Sequence, residues 1–216
     1  MNTERLLWID LLKSFAIFLV LWGHCIQHFT FDGFTDNSIY LWIYSFHMPL
    51  FMMLSGWFAS HLLKKSLFCV VKLKFRQLLL PSIIFGTIYF LVNEIFNTSN
   101  SYLRVIYYSY WFLKSLFCCM ILFCIGIKYF KNKCVGLIFV LFISQLCNYI
   151  PYLEFLQLRY MFPCFTMGYL FSQNYIWFLR NVKIITSVSF IFFISLLLFF
   201  DKNLLWPSRK LPKLAY

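Results

Sequence analysis

The sequence has little charge and very few acidic residues. Charged residues make up 12% of its 216 positions and hydrophobic residues 62%, and only seven residues are Asp or Glu. A soluble domain carries about 25% charged residues and about 45–50% apolar ones. The 29 Phe, 14 Tyr and 7 Trp are more than the core of so short a chain could bury. The composition therefore excludes a soluble globular domain and favours a protein surrounded by lipid.

Other common signatures are missing as well. The eight cysteines form no CxxC pair and no Cys/His spacing typical of zinc, so we expect free thiols and no metal site. The net charge of +12 comes from clusters between apolar runs, not from one continuous stripe, so we expect no nucleic-acid partner. The first apolar run contains Asp10, Lys13 and His24 and has no small-residue cleavage site, which indicates a first membrane span and not a signal peptide.

Seven apolar runs approach the length of about 20 residues that a membrane-spanning helix needs. They lie near 6–28, 40–62, 78–93, 111–129, 134–150, 160–178 and 183–200. We predict an all-α polytopic transmembrane bundle of about seven spans, multi-pass in the cell (inner or plasma) membrane and in contact with its lipids. The chain is interpreted as a single integral-membrane domain over 1–216, with a basic tail at 201–216.

The distribution of charge between the spans predicts a cytoplasmic N-terminus. The connection between the first two spans holds Asp32 and Asp36 but no Lys or Arg. The connections after the second and fourth spans are basic, with Lys64, Lys65, Lys72, Lys74, Arg76, Lys128, Lys131 and Lys133. Cytoplasmic loops carry the Lys/Arg excess. The basic tail at 201–216 would lie outside by this count, so either one span is miscounted or the chain is a shortened version of a longer protein.

The first span carries polar groups on one side. Lys13 and His24 are eleven residues apart, which on an α-helix is about three turns and roughly 16 Å along the axis, so both lie on one face. Asp10 is close enough to pair with Lys13, and Gln27 and His28 continue the face beyond His24. A cation could hold a phosphate, and a neutral imidazole is a suitable general base. Alternatively, Lys13 pairs with Asp10 and snorkels, while His24 bonds a neighbouring helix.

The second span adds another histidine. His47 precedes Pro49 and is expected at a depth similar to that of His24. Pro49 removes a backbone donor and can bend the helix, which would open room for a ligand. Ser55 and Gly56 follow, where small residues permit close helix packing as readily as they serve a site.

Five segments, in order, resemble the acyltransferase 3 family of membrane O-acyltransferases. The resemblance is strongest to the branch similar to bacterial sugar O-acetylases. They are "IDLLKSFAIFLVLWGH", "FHMPLFMMLSGWF", "VKLKFRQLLLP", "YWFLKSLF" and "LRYMFPCFTMGYLF". Lys13 and His24 fill the family pattern of a basic residue, ten others and a histidine, although the basic residue is more often Arg. The resemblance covers about 5–172. Members of the family usually have more spans, so the chain resembles a C-terminally shortened member.

The resemblance implies an enzyme that transfers an acyl group, commonly acetyl from acetyl-CoA, to a hydroxyl of a cell-surface or lipid-linked glycan in bacteria. Acyl-CoA would be a co-substrate, with no permanently bound cofactor. His24 would be the catalytic base, and His47 would line the acceptor side or assist proton movement. Lys13 would bind the donor, and Lys72 and Arg76 would meet the phosphates of coenzyme A.

Three further residues are supporting candidates. Asp10 would partner Lys13, Ser55 would lie near the site, and Arg159 would steady the acceptor or the oxyanion unless it is an interfacial anchor. Two other functions stay open at this point. One is a polysaccharide or lipid-carrier transporter whose path is lined by the polar face, and the other is a truncated, inactive remnant of the family.

Overall fold

The structure is a computed structural model that describes residues 7–29, 37–95, 102, 106, 110–150, 153, 156–188 and 191. All regular secondary structure in these ranges is helical. The α-helices are α1 (Leu7–Phe29), α2 (Ser38–Trp57), α3 (Leu67–Lys74), α4 (Leu80–Ile95), α5 (Trp111–Lys128), α6 (Lys133–Leu146), α7 (Leu158–Gln173) and α8 (Tyr175–Arg180). Short 3₁₀ segments follow α2 (Ala59–Lys64) and α6 (Cys147–Tyr149), and a π-helical turn (Phe75–Leu79) joins α3 to α4.

Within the described ranges, three helices are long and apolar enough to cross a membrane. They are Leu7–Phe29, Leu67–Val92 and Trp111–Lys128, and the apolar helix Lys133–Leu146 is shorter. Large apolar side chains cover the outside of α1, including Phe15, Phe18 and Leu21. An apolar outer surface of this kind is suited to lipid. The prediction of an all-α membrane protein is confirmed in its helical content and in the presence of helices long enough to cross a membrane.

The third apolar run differs from its predicted span of 78–93, because the helix starts eleven residues earlier. Ser66 caps α3 by accepting a hydrogen bond from the backbone of Cys69, and the basic residues that follow do not interrupt a helix. The π-helical turn then lets the N–H of Leu80 donate to the carbonyl of Phe75. Pro81 follows at once, so the wider turn lies where the proline would interrupt regular α-helical bonding.

The last two predicted spans also differ from the structure. The predicted span 160–178 contains a break, because α7 ends at Gln173 and Asn174 forms a turn before α8. Of the span 183–200, residues 183–188 are helical and most of the remainder lies outside the described residues, as does the basic tail at 201–216. The described residues form two compact units, one up to Gln173 and one from Asn174 onward. All candidate site residues belong to the first.

The core of the first unit forms where α2, α5, α6 and α7 meet. Phe123, Phe162 and Phe165 are fully buried there. Pro163 lies inside α7 and cannot donate a hydrogen bond to the carbonyl of Arg159. The side-chain amide of Gln145 in α6 donates to that carbonyl instead, at 3.2 Å. The proline is thus accommodated by a polar contact from the neighbouring helix.

Glycines set the spacing between α2 and α7, the two helices with the most extensive mutual contact. A Cβ atom on Gly56 would lie 1.9 Å from the carbonyl oxygen of Phe165, and one on Gly168 would lie 1.9 Å from that of Met53. No side chain fits at either position, so backbone meets backbone. Gly126 and Gly136 form a comparable contact between α5 and α6. For Gly56, the structure thus supports the packing interpretation.

Candidate functional site

Helices α1 and α2 are antiparallel neighbours whose contacts define a fixed register. The Trp8 and Trp57 rings pack edge to face with centroids 5.2 Å apart. Lys13 Nζ lies 4.5 Å from the centroid of Phe58. Further along α1, Gln27 contacts Tyr44 of α2. Between the Lys13–Phe58 contact and the Gln27–Tyr44 contact, the chain advances 14 residues along α1 and runs back 14 residues towards the start of α2, which places His24 level with His47.

The polar residues of α1 flank the strip that packs on α2. The strip consists of small and aliphatic buried residues, namely Ile9, Ala16, Leu19 and Gly23. At 100° per residue, Lys13 and His24 are about 20° apart around the helix and both lie on one side of this strip. Phe18 is on the opposite, exposed face. The contact surface between the two helices is called the α1–α2 seam below. Lys13 and His24 thus share one border of it, about 16 Å apart along the helix axis.

His24 takes part in a hydrogen-bonded chain that crosses the seam. Its Nδ1 lies 3.3 Å from Gln27 Oε1, one turn further along α1. The Tyr44 hydroxyl of α2 donates to the same oxygen at 3.4 Å. The His28 ring lies 6.4 Å from that of His24, centroid to centroid. His24 itself is exposed at the surface of the described bundle, so its ring can be approached.

His47 is held more tightly and is fully buried. Its Nδ1 lies 2.6 Å from the carbonyl of Ile43, and its ring packs edge to face on Tyr44 with centroids 4.8 Å apart. A carbonyl can only accept, so Nδ1 carries the proton and Nε2 carries a lone pair. Within the described part of the chain, Nε2 has no hydrogen-bond partner.

Lys13 makes the Asp10 contact of the second interpretation and remains partly exposed. Its Nζ lies 3.8 Å from an Asp10 carboxylate oxygen, and both side chains are more than a third exposed. It also lies over the Phe58 ring, at the end of α2. An exposed ion pair of this kind contributes about 0–1 kcal/mol to stability. Asp10 therefore limits where the ammonium group lies and leaves it accessible to an anion.

The basic residues of two connections meet at the Lys13 end of the seam. The 3₁₀ segment Ala59–Lys64 follows Phe58 directly. Lys128, at the end of α5, donates a hydrogen bond to the carbonyl of Lys65. Lys72 and Arg76 are exposed on the adjoining α3 and π-helical turn. The structure thus separates a basic end, which includes Lys13, from an end that carries the two histidines.

Ser55 and Arg159 are not drawn into this seam by any described contact. Ser55 is half-buried beside Gly56. Arg159 is exposed near the start of α7, with its guanidinium 5.6 Å from the centroid of the neighbouring Tyr160 ring. In the described ranges, no group of three or more His, Cys, Asp or Glu residues is arranged to hold a metal ion.

Sequence reasoning missed two residues of the seam. Gly23 packs against Tyr44, because a Cβ there would lie 2.9 Å from the tyrosine ring. Tyr44 lies three residues before His47, which puts both side chains on one face of α2. This spacing from His47 is the sequence feature that could have predicted a place for Tyr44 beside the site. The contact with Gln27 depends on the register between two helices and has no signature in either segment alone.

Comparison with known proteins gives a consistent set of matches. A family model described as an acyltransferase domain matches residues 6–207. The nodulation protein NolL of Mesorhizobium japonicum is 29% identical over 188 residues, covering 82% of this chain and 50% of the relative. NolL of Sinorhizobium fredii is 28% identical over 181 residues, covering 76% and 48%. The chain spans about half the length of these curated relatives, and no solved structure matches it.

Proposed function

The chain belongs to the acyltransferase domain family that matches residues 6–207, and on this premise we propose that it transfers an acyl group from acyl-CoA to a hydroxyl of a cell-surface or lipid-linked glycan. Acetyl from acetyl-CoA is the donor we expect. Lys13 and His24 have the spacing that the resemblance associates with this family, and a transporter would not require it. The observation that carries the proposal is the α1–α2 seam, with an approachable imidazole at one end and an accessible cation at the other.

The proposed topology is a multi-pass protein of the cell membrane, with about seven spans and a cytoplasmic N-terminus. It is supported by the contact of Lys128 with Lys65, which draws two basic connections to one end of the bundle. Cytoplasmic ends of membrane proteins are enriched in Lys and Arg. With this orientation, Lys13 lies towards the cytoplasm, where acyl-CoA is found. His24 and His47 lie towards the opposite face, where a surface glycan or its lipid-linked precursor is met.

The proposed chemistry uses His24 as a general base. Its Nε2 takes the proton of the acceptor hydroxyl while the oxygen attacks the thioester carbonyl. The carbon–sulfur bond then breaks, and the leaving thiolate of coenzyme A takes the proton back from the imidazolium. The products are an O-acyl ester and free coenzyme A, so atoms and charges balance. General base catalysis of this kind contributes about 10²–10⁴-fold in rate.

The remaining candidates have proposed supporting roles. Lys13 attracts the negatively charged donor, and Lys72 and Arg76 meet its phosphates at the cytoplasmic mouth. His47 lies level with His24, which suits a group that assists proton movement on the acceptor side. Asp10 keeps the Lys13 ammonium near the seam. Arg159 is an interfacial anchor in this scheme, since it is exposed beside Tyr160.

The first test is acyl transfer in membranes that contain the chain. Inverted membrane vesicles receive radiolabelled acetyl-CoA, and alkali-labile label is measured in the glycan and lipid-linked fractions. We expect wild type to incorporate label and His24→Ala to lose about 10²–10⁴-fold at equal protein level. His61→Ala is the matched control, because it removes an exposed imidazole from the Ala59–Lys64 segment.

Two results would overturn the proposal. Wild type that transfers no label would indicate that this chain is not an active acyltransferase with these substrates. Equal incorporation by wild type and His24→Ala would show that His24 is not the general base. Uptake of a saccharide without any acyl donor would favour the transporter instead.

A further inference from the structure

We propose that Gln27 is a positioning residue that holds the His24 imidazole in the tautomer with the proton on Nδ1, and that Tyr44 fixes Gln27 from the second helix. The inference rests on the proposed function, because the tautomer matters only if His24 acts as a base. A base that accepts a proton on Nε2 must carry its own proton on Nδ1. A hydrogen bond to the other ring nitrogen is the usual device for this selection.

The geometry around Gln27 supplies such a device. Gln27 is three residues beyond His24, so their side chains are neighbours on one face of α1. Its Oε1 lies 3.3 Å from His24 Nδ1 and 3.4 Å from the Tyr44 hydroxyl. An amide oxygen only accepts, so a hydrogen bond between it and His24 requires the proton on Nδ1. The Tyr44 hydroxyl donates to the same oxygen, which favours the amide orientation with the oxygen towards His24.

Tyr44 is well fixed by its own neighbours. Its ring stacks on Tyr40 with centroids 4.1 Å apart and meets the His47 ring edge to face at 4.8 Å. Tyr40 is buried, which anchors the stack. Gly23 leaves the space that the Tyr44 ring occupies, because a Cβ there would lie 2.9 Å from it. The hydroxyl that holds Gln27 is therefore placed by groups from both helices.

This arrangement predicts a specific pattern of kinetic effects. Loss of the Gln27 oxygen leaves His24 free to place its proton on Nε2, where it cannot act as a base. Replacing one neutral hydrogen bond changes a rate by about two- to tenfold. The change falls on kcat, because neither Gln27 nor Tyr44 is placed at the donor. Both bonds are long, and catalytic hydrogen bonds of this kind tighten when substrate binds.

The experiment compares Gln27→Met with Gln27→Glu in the full chain. Met has a similar length and no acceptor oxygen, whereas Glu keeps an oxygen facing Nδ1. In the vesicle assay with acetyl-CoA, we expect kcat of Gln27→Met to fall about two- to tenfold with the KM of acetyl-CoA unchanged, and Gln27→Glu to retain kcat. Tyr44→Phe should give a smaller loss in kcat. Gln173→Met, at the exposed end of α7, is the control and should behave as wild type.

A second measurement is independent of activity. Nitrogen NMR of ¹⁵N-histidine-labelled protein reports which ring nitrogen carries the proton, and the His24 signals are identified by their loss in His24→Ala. We expect the Nδ1–H tautomer in wild type and in Gln27→Glu, and a shift towards Nε2–H in Gln27→Met. An unchanged tautomer, or unchanged kcat in Gln27→Met with active wild type, would overturn the inference. If wild type has the expected tautomer but no transferase activity, only the proposed function fails.

Discussion

The two sides of α2 form seams of opposite character. Against α7, the helix presents Gly56, and the glycines of both helices bring backbone into contact with backbone. Against α1, it presents Tyr44 with its hydroxyl bonded to Gln27, and Phe58, directly after the helix, lies beneath the ammonium of Lys13. The α2–α7 seam has no space for a further atom at its glycines, whereas the α1–α2 seam is bordered by polar groups that are exposed or half-buried.

The difference shows how one helix serves both stability and chemistry. In a membrane, helices associate through close packing, which small residues allow, because burial from water does not drive them together. The α2–α7 contact fixes α2, and the opposite face of α2 then holds Tyr44 and His47 at defined positions. Polar groups in α1 can face α2 without having to hold the bundle together. The comparison predicts that substitutions in the two seams have different consequences.

The largest expected effect is the loss of folded protein on Gly168→Ala. The new Cβ would lie 1.9 Å from the Met53 carbonyl oxygen, and a backbone atom cannot rotate away. We expect destabilisation on the order of 3 kcal/mol, since overpacking that moves backbone is at the upper end of such costs. The measurement is the monodisperse fraction after detergent extraction and its thermal unfolding midpoint.

The matched variant in the other seam is Gly23→Ala. Its Cβ would lie 2.9 Å from the outer edge of the Tyr44 ring, which has to shift but, unlike a backbone carbonyl, can do so by rotation about its side-chain bonds. Alanine also favours a helix over glycine by about 1 kcal/mol. We therefore expect stability within about 1 kcal/mol of wild type. Equal destabilisation by both variants would contradict the distinction between a rigid and a yielding seam.

Much of the fold could be predicted from the sequence, because apolar runs of spanning length indicate helices in lipid. The runs at 6–28 and 111–129 correspond closely to α1 and α5. The start of the third helix at Leu67 was missed, since Lys72, Lys74 and Arg76 suggested a loop. The Ser66 cap and the π-helical turn allow the helix to start at Leu67 and to continue into α4, and neither can be predicted from hydrophobicity. The break at Asn174 is a local turn inside an apolar run, so hydrophobicity does not predict it either.

The candidate site was predictable only along each helix. The spacing of Lys13 and His24 on one face follows from helical geometry alone, and the depth of His47 follows from the direction of the chain. The contact of Gln27 with Tyr44 depends on how far α2 slides along α1. That register is set by packing at Gly23 and by the Trp8–Trp57 pair, and such contacts between distant segments are not encoded in either segment separately.

A smaller effect than loss of the fold is expected at the basic border of the α1–α2 seam. We expect Lys13→Met to keep the fold, because methionine is similar in length and the exposed Lys13–Asp10 pair contributes only about 0–1 kcal/mol. The KM of acetyl-CoA should rise about ten- to a hundredfold, since a hydrogen bond to a charged group contributes about 1.5–3 kcal/mol. Lys13→Arg should retain a low KM, because guanidinium binds phosphate in a bidentate manner. An unchanged KM in Lys13→Met would show that Lys13 does not bind the donor and only pairs with Asp10.

The smallest expected effect is at Ser55, beside the glycine contact of the α2–α7 seam. The side chain is half-buried. Ser55→Ala removes only the hydroxyl oxygen, so we expect activity and stability to change by no more than about twofold, or about 0.5 kcal/mol. Both are measured in the vesicle assay and by thermal unfolding. A tenfold loss of kcat in stable Ser55→Ala protein would show that the site extends to the α7 side of α2 and that the two seams are not functionally separate.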